Sequence, residues 1–318
     1  MRAFLCGLFW LVFSFVFPPL STQSASPSDR PLDQLPDSTL VYVSDYFSFV
    51  GQDSQGRVAF ALDNNRGRDG EAYQAQHFLV LHDETTGWAR LDGNNGYENV
   101  GKELKTIPGS PFFQFQGTPR TGMTIVGESN RLMLKIEPIE PRTKRRHDGA
   151  AVWMGSAPAV LTWRDRVIPG RVIYEYFMMP EFNRLTHAYW DLLTEYQGFY
   201  LKTGTDDVYL HRQHSERLVP LMGILDGFAV FNGATDSMKD LTVTVLDHEQ
   251  ARGLYRWPTA WRITWTGSQG PAVLILKRVT RTGIWNWAIG GFSMVVVDGE
   301  LEYGAKKRPV YGLVEVIM

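Results

Sequence analysis

The sequence is poor in cysteine, in net charge and in segments with helical periodicity. Its 318 residues include one cysteine, Cys6, which excludes a disulfide framework and any cysteine-based metal site. With 32 basic and 34 acidic residues the formal charge is −2, so no positive excess indicates nucleic acid or an anionic membrane surface as a partner. Dinucleotide, P-loop, H-E-x-x-H and G-x-S-x-G motifs are missing as well. We therefore expect no bound metal and no cofactor.

Aromatic residues, at 13% of the chain, and short β-like runs are abundant. The runs recur at short intervals and are separated by clusters of Gly, Asn, Asp or Pro, as in hairpins. Several alternate with period 2, for example Phe113 and Phe115 against Gln114 and Gln116. Such alternation is typical of antiparallel sheets with one covered face. The sequence therefore predicts an all-β fold, either a sandwich or closed barrels.

The N-terminal segment has the composition of a secretory signal. Arg2 precedes an apolar run from Ala3 to Phe17, and Pro18-Pro19 and small polar residues follow it. A membrane anchor needs roughly 20 apolar residues, so this run is short for one. We predict that residues 1–25 are a cleaved signal and that the mature protein is periplasmic or secreted, with an uncleaved anchor as the alternative. Contact with a membrane would then be transient and limited to the signal.

The mature chain divides into two parts of similar length. Residues 26–37 are rich in Pro, Asp and Ser and indicate a flexible leader. Only the segment Phe182 to Tyr196 has helical spacing of apolar residues, and it lies near the middle of the chain. We predict β-domains at 38–182 and 190–318, joined by a short helical or irregular junction.

Acidic residues among aromatics are the best catalytic candidates. Glu175 lies between two tyrosines in a strong strand, and Asp191 and Glu195 flank the predicted junction. Aromatic walls disfavour the ionised carboxylate, so such a group can act as a general acid. Pairing of Glu175 with an inward arginine, in a purely structural role, is the alternative.

Two further polar segments are candidates for ligand binding. The Asn and Gly residues of the unusual segment 63–70 are first explained by a tight turn after a strand. The alternative is a rim loop in which Asp63 and Arg66 bind a polar ligand group. His211 and His214 would point to opposite faces of a strand, which argues against joint metal ligation. His211 is retained as a candidate for contact with a ligand.

Tryptophans concentrate in the last third of the chain. Trp261 and Trp265 share one strand face, and so do Trp285 and Trp287. Together with Trp190 they could line a cavity for an apolar ligand. Packing in a core is the default interpretation of these pairs, and the cavity is the alternative to it.

Several short motifs resemble the double-lipocalin proteins around hydroxyneurosporene synthase, a carotenoid hydratase, and the AttH-type proteins. The matching segments are Leu254–Thr264, Ala272–Lys277, Pro309–Val316, the Gly290-Gly291 bend, the Asp226-Gly227 hairpin and, approximately, Trp190-Asp191 with Glu195–Gly198.

This resemblance implies two consecutive lipocalin-like antiparallel β-barrels that hold an apolar small molecule. We therefore expect a protein that binds a hydrophobic lipid or isoprenoid in an aromatic-lined cavity. A cofactor-free hydratase, cyclase or isomerase that protonates its substrate with a carboxylic acid is the first alternative. A structural envelope protein without ligand is the second, and the oligomeric state stays open.

Overall fold

The computed structural model describes residues 40–69, 72–90, 96–100, 103–106, 113–127, 131–147, 150–180, 195–214, 224–250, 256–283, 285–286 and 291–318. Within these ranges every regular element is a β-strand, so the prediction of an all-β fold is confirmed. No helix in this part of the chain has the length and apolarity needed to cross a membrane.

Twelve antiparallel strands form the first sheet. Their bounds are β1 (Leu40–Asp53), β2 (Gly56–Asp69), β3 (Ala72–Asp83), β4 (Gly87–Arg90), β5 (Gly96–Val100), β6 (Glu103–Thr106), β7 (Gln114–Thr118), β8 (Gly122–Gly127), β9 (Leu132–Ile136), β10 (Glu140–His147), β11 (Ala150–Trp163) and β12 (Arg166–Pro180). The order is β6-β5-β3-β2-β1-β12-β11-β9-β8-β7, with β4 paired to β3 and β10 to β11. The first strand thus lies beside the last one.

Ten antiparallel strands form the second sheet. Their bounds are β13 (Glu195–Thr203), β14 (Asp206–His214), β15 (Ile224–Phe231), β16 (Ala234–Ser237), β17 (Lys239–Gln250), β18 (Arg256–Gly267), β19 (Gly270–Arg281), β20 (Trp285–Asn286), β21 (Gly291–Tyr303) and β22 (Lys306–Ile317). The order is β16-β15-β14-β13-β22-β21-β19-β18-β17, with β20 paired to β21. Asn232 and Gly233 both have positive φ, 53° and 81°, as the tight turn between β15 and β16 requires.

Two local expectations differ from the structure. The predicted turn or rim loop at 63–70 is strand up to Asp69, because β1 and β3 pair with it on both sides and satisfy its backbone groups. Asp226 and Gly227 lie within β15 rather than in a hairpin. The predicted junction, between the end of β12 and the start of β13, lies outside the described residues.

Each sheet curls around its own apolar core. The first core contains Phe47, Phe60 and Trp163, and the second contains Trp261 and Leu274, all at most 2% exposed. A third apolar cluster joins the two sheets through their outer faces. Its members include Tyr46, Val50, Ala61 and Ile173 from the first sheet and Tyr200, Tyr209, Met294 and Leu313 from the second.

Strand alternation explains how one strand serves two of these clusters. In β12, Tyr174 and Tyr176 point into the first core, so Ile173 and Glu175 point towards the second sheet. The face that is polar in a solvated antiparallel sheet is here covered by another sheet. A carboxyl group on that face is therefore withdrawn from bulk water.

Candidate active site

Three residues of the first sheet form a row on the face that meets the second sheet. Tyr46 of β1 lies opposite Glu175 on β12 and opposite Asp63 on β2. Directly opposed residues have side chains on the same face, so the two carboxyl groups flank the tyrosine ring. Ser44 Oγ donates to Asp63 Oδ1 at 2.6 Å, and Asn65 Nδ2 donates to Asp63 Oδ2 at 2.6 Å.

The second sheet places tyrosines and polar groups opposite this row. Period-2 alternation puts Tyr196 and Tyr200 of β13 on one face, and Tyr200 lies opposite Tyr209 on β14. Gly198, between the two tyrosines of β13, lies opposite both His211 on β14 and Glu315 on β22. A Cβ atom at Gly198 would lie 2.6 Å from Tyr196 Oη, so the absence of a side chain makes room for the Tyr196 ring.

The two sheets meet through a hydrogen-bonded network centred on Glu175. Tyr209 Oη donates to Glu175 Oε2, and Tyr200 Oη donates to the same oxygen at 3.4 Å. The Tyr200 hydroxyl lies 3.3 Å from that of Tyr196, and the Tyr209 hydroxyl lies 3.1 Å from His211 Nδ1. Glu175 Oε1 makes no hydrogen bond with any described residue and is therefore available to a ligand.

Aromatic packing fixes the geometry around this network. The rings of Tyr46 and Tyr200 stack across the two sheets with centroids 4.7 Å apart. Tyr209 packs against Tyr200 at 5.2 Å and is stacked on Phe228 at 5.5 Å. Because these rings come from four strands in two sheets, the hydroxyl positions depend on the association of the sheets.

Three acidic side chains and one tyrosine at the interface of the sheets are only partly buried. Asp63, Glu175, Tyr196 and Glu315 each keep some accessible surface although protein surrounds them. A deeply placed side chain keeps such surface only where it lines a cavity or cleft. We call the space lined by these four side chains the recess. Within the described part of the chain, the Glu315 carboxyl makes no hydrogen bond or ion pair, so it too is open to a ligand.

Burial raises the pKa values of the three carboxyl groups in the recess. Burial raises the pKa of Glu175 to about 7, although the hydrogen bond from Tyr209 lowers it. Burial also raises the pKa of Asp63 to about 6, against the hydrogen bonds from Ser44 and Asn65. The pKa of Glu315 is raised by burial and further by the negative charges of Asp63 and Glu175. At neutral pH the recess therefore contains carboxyl groups that can hold a proton.

The tyrosines in and around the recess stay protonated throughout the physiological range. Burial raises the pKa values of Tyr46, Tyr196, Tyr200 and Tyr209 well above 10, and nearby carboxylates raise them further. Among the described residues, no group of three His, Cys, Asp or Glu side chains has an arrangement that would hold a metal ion. The arrangement is suited to proton transfer next to aromatic surfaces.

A groove of about 380 Å³ lies between the sheets and is lined by residues other than those of the recess. Its lining includes Arg57, Lys202, Asp298 and Tyr311. The Arg57 guanidinium stacks on the Tyr311 ring, 4.2 Å from its centroid, and pairs with Asp298 at 2.5 Å. Because Arg57 is already paired with Asp298, we interpret these groove residues as a structural contact between the sheets.

The structure brings three of the predicted site residues together. Asp63, Glu175 and His211 lie in one network or its immediate surroundings, although they belong to β2, β12 and β14. Glu195 lies on the opposite face of β13, the face of Gln197 and Phe199, and points away from the recess.

The remaining predicted residues lie elsewhere or outside the described part. Trp261 and Trp265 are 0% and 2% exposed in the core of the second sheet, in agreement with the default interpretation, and do not line the recess. Trp261 Nε1 donates to Gln197 Oε1 at 3.0 Å. Three further predicted residues, Trp190, Asp191 and Trp287, lie outside the described residues. Arg66 lies in β2 and Trp285 in β20, but their side chains are not described.

Five residues of the site were not predicted. They are Tyr46, Tyr196, Tyr200, Tyr209 and Glu315. One sequence signal could have identified some of them. On the outer face of β13, where polar residues usually face water, the sequence has Tyr196, Gly198 and Tyr200.

Comparison with known proteins supports the fold. Neither the protein-family models nor the curated protein sequences give a match. Among solved structures, an AttH-like protein from Nitrosomonas europaea superimposes with a TM-score of 0.61 and 11% identity, covering 94% of this chain and 98% of that chain.

Two further structures are similar over comparable lengths. CghA, solved with Sch210972, gives a TM-score of 0.59 and 10% identity over 88% of this chain and 89% of its own. Kievitone hydratase from Nectria haematococca gives a TM-score of 0.54 and 10% identity over 86% of this chain and 88% of its own. The prediction of two consecutive lipocalin-like units is thereby confirmed, and the chain has the two-sheet, lipocalin-like fold of the AttH-like structures.

Proposed function

We propose that the protein is an acid–base catalyst that binds a hydrophobic small molecule in the recess and protonates it with Glu175. The observation on which this depends is the geometry of Glu175. One carboxyl oxygen is fixed by Tyr209 and Tyr200, and the other makes no hydrogen bond to any described residue. A general acid needs this combination of fixed orientation and an open oxygen.

The proton affinity of Glu175 suits the role. With a pKa of about 7, a substantial fraction of Glu175 is protonated at neutral pH and can donate its proton without a large cost. An ordinary exposed glutamate would be almost fully ionised under the same conditions. The expected reaction is protonation of an electron-rich double bond, followed by addition of water, ring closure or loss of a different proton.

The Tyr196 ring and the nearby carboxylates can stabilise the charge that such a step creates. Protonation of an alkene places positive charge on carbon, and the faces of tyrosine rings attract cations. Tyr196 is the tyrosine of this group that keeps accessible surface, whereas Tyr46 and Tyr200 are stacked on each other and at most 5% exposed. The carboxyl groups of Asp63 and Glu315 add negative charge near Glu175. The substrate is therefore expected to be an uncharged lipid or isoprenoid with a reactive double bond.

The names of two structurally similar proteins are in line with this proposal. Kievitone hydratase is named as a hydratase and has a similar fold. The CghA structure includes a small molecule, Sch210972. Export, which the N-terminal sequence predicts, is part of the proposal: the enzyme would act in the periplasm or outside the cell.

Simple ligand binding without turnover is the other function that the recess could support, and one experiment separates the two. The purified protein is incubated in D₂O with isoprenoid alcohols, polyenes and unsaturated fatty acids, and products are analysed by mass spectrometry. Proton transfer to carbon gives products with one deuterium, and Glu175→Gln is expected to abolish them. Quenching of tryptophan fluorescence by a lipophile without deuterium uptake would instead identify a binding protein and refute catalysis.

Glu300→Gln is the matched control for this experiment. Glu300 lies on an exposed part of β21, where it pairs with Lys307. Its substitution removes the same charge from the protein without touching the recess. Deuterium uptake that persists in Glu175→Gln, or is lost equally in Glu300→Gln, would remove Glu175 from the role of general acid.

A further inference from the structure

Glu315 reaches the recess from β22 without a hydrogen-bond donor beside it on its own sheet. It lies opposite Gly198 on β13 and opposite Met294 on β21, and directly opposed residues have side chains on the same face. Gly198 has no side chain, and the thioether of Met294 has no proton to donate. Met294 Sδ instead accepts a hydrogen bond from Tyr46 Oη at 3.9 Å, so the proton of Tyr46 is already in use.

The protons of three further tyrosines in and around the recess are also in use. Tyr200 and Tyr209 donate theirs to Glu175 Oε2. Because a phenolic hydroxyl has a single proton, Tyr196 must be the donor in its contact of 3.3 Å with the Tyr200 hydroxyl. None of these tyrosines has a proton left for Glu315, whose carboxyl group makes no hydrogen bond or ion pair within the described part of the chain.

The three carboxyl groups of the recess therefore differ in how far the protein satisfies them. Both oxygens of Asp63 accept hydrogen bonds, one from Ser44 and one from Asn65. Glu175 has one oxygen held by tyrosines and one open oxygen, whereas both oxygens of Glu315 are open to a ligand. A carboxyl group that is withdrawn from water without hydrogen bonds is destabilising. A ligand that displaces water from the recess must therefore supply a partner for Glu315.

We infer that Glu315 binds a hydroxyl group of the substrate, so that the substrate is an unsaturated lipid alcohol rather than a hydrocarbon or a fatty acid. This inference rests on the proposed function. A hydroxyl group both donates and accepts, so it can bind Glu315 in its protonated and in its ionised form. A carbonyl oxygen only accepts and fits the protonated form alone. A hydrocarbon would leave the covered carboxyl group without a partner, which sites built to bind a hydroxyl group penalise strongly.

Charge argues against the two ionic classes of substrate. The negative charges of Asp63 and Glu175 both act on Glu315, so they would repel the carboxylate of a fatty acid bound there. The recess would attract an amine, but its fixed positive charge would oppose the positive charge that protonation creates on carbon. Because Glu315 lies within reach of the charge of Glu175, the hydroxyl group should lie close to the reactive double bond.

Binding measurements with matched analogues test this inference without turnover. Geraniol and farnesol are compared with the hydrocarbons, aldehydes and acids of the same carbon skeleton by quenching of tryptophan fluorescence at pH 7. The alcohols are expected to bind about tenfold more tightly than the hydrocarbons. Glu315→Leu should abolish this preference by lowering the affinity for the alcohols. Glu315→Gln should retain most of it, because an amide can also bind a hydroxyl group.

Glu300→Leu is the matched control for these variants. Glu300 is exposed on β21, where it pairs with Lys307, so its substitution removes the same charge without touching the recess. This variant should bind every analogue as the wild-type protein does. Equal affinity of the wild-type protein for alcohol and hydrocarbon, tighter binding of the aldehyde or the acid, or a preference for alcohols that survives in Glu315→Leu would overturn the inference.

The inference and the proposed function can fail separately. Glu175→Gln should keep the preference for alcohols, since it leaves the carboxyl group of Glu315 in place. A protein that prefers alcohols through Glu315 but transfers no deuterium to carbon would refute catalysis alone. Deuterium uptake from the hydrocarbon or the corresponding amine at the rate found for the alcohol would refute the role of Glu315 and leave that of Glu175 standing.

Discussion

Arg171 of the first sheet and Asp207 of the second form a bidentate ion pair across the interface. Arg171 Nε lies 2.7 and 2.8 Å from the two carboxylate oxygens, and the terminal nitrogen lies 2.6 Å from one of them. The Asp207 side chain is 1% exposed and that of Arg171 is 17% exposed. The pair therefore joins the sheets through one fully buried and one partly hydrated partner.

This difference in exposure predicts unequal effects of removing each partner. Arg171→Met leaves the buried Asp207 without its counter-charge, and loss of one partner of a buried pair costs about 3–5 kcal/mol. Asp207→Asn leaves an arginine that can still reach water, so we expect a loss of less than about 2 kcal/mol. Urea unfolding at pH 7 measures both values.

An exposed ion pair provides the control for these variants. Lys307 and Glu300 are 64% and 55% exposed, and such pairs contribute about 0–1 kcal/mol. Lys307→Met should therefore change the unfolding free energy by less than about 1 kcal/mol. Equal losses in Arg171→Met and Lys307→Met would show that the interface does not depend on the buried pair.

The raised pKa of Glu175 predicts how stability changes with pH. The folded protein binds a proton at Glu175 up to a pKa of about 7, whereas the ordinary value is 4.5. Between these values the folded state holds more protons than the unfolded state, so the unfolding free energy falls as pH rises. Asp63, with its pKa raised to about 6, contributes a fall of the same sign at lower pH.

Glu175→Gln is expected to remove the contribution of Glu175 to this decrease of the unfolding free energy with rising pH. The full shift corresponds to about 3 kcal/mol at most, so at pH 8 the variant should be about 1–3 kcal/mol more stable than wild type. Urea unfolding at several pH values from 4.5 to 8 checks the prediction, with Glu300→Gln as the exposed control. Parallel curves for wild type and Glu175→Gln would contradict a raised pKa.

Export is tested by the mass of the mature protein. The basic start, the apolar run and the Pro18-Pro19 end predict cleavage near Ala25 or Ser26. The full chain, expressed in a secreting host, should appear in the periplasm or medium with a mass that lacks this segment. A full-length mass in the membrane fraction would instead support the uncleaved anchor.

The sequence was sufficient for the strands and for two of the acidic groups. Period-2 alternation predicted the all-β fold. Glu175 was chosen for its position between Tyr174 and Tyr176, but those rings point into the first core, and the tyrosines that contact its carboxyl group come from β13 and β14. Asp63 was also identified, but in a loop. Its polar neighbours suggested a turn, whereas pairing with both β1 and β3 keeps that segment extended.

The rest of the recess could not be predicted, because it depends on how the two sheets face each other. Glu315 and Glu175 are 140 positions apart in the chain, and no local pattern relates them. The tyrosine hydroxyls meet Glu175 only through the association of β13 and β14 with β12. The tryptophans show the same limit: Trp261 and Trp265 share a strand face as predicted, but only the structure decides between a core and a cavity, and that face points into the core.

Alanine substitution of two glycines of the second sheet tests whether the ligand binds in the recess. A Cβ atom at Gly198 would meet the far end of the Tyr196 ring, at 2.6 and 3.0 Å, and the Tyr200 ring at 3.0 Å. A Cβ atom at Gly227 would meet the backbone oxygen of Tyr209 at 2.3 Å. A ring at the edge of a cavity can move, whereas a paired strand cannot shift without loss of its hydrogen bonds.

Gly198→Ala should therefore fold with a stability within about 1 kcal/mol of wild type, while the displaced Tyr196 ring enters the recess. We expect the affinity for an isoprenoid alcohol or polyene, measured by tryptophan fluorescence quenching, to fall about tenfold, which corresponds to about 1.4 kcal/mol. Gly227→Ala should lose about 1–3 kcal/mol of stability because its strand must move. Unchanged affinity in a folded Gly198→Ala protein would place the ligand outside the recess, since no ligand could share that space with the displaced ring.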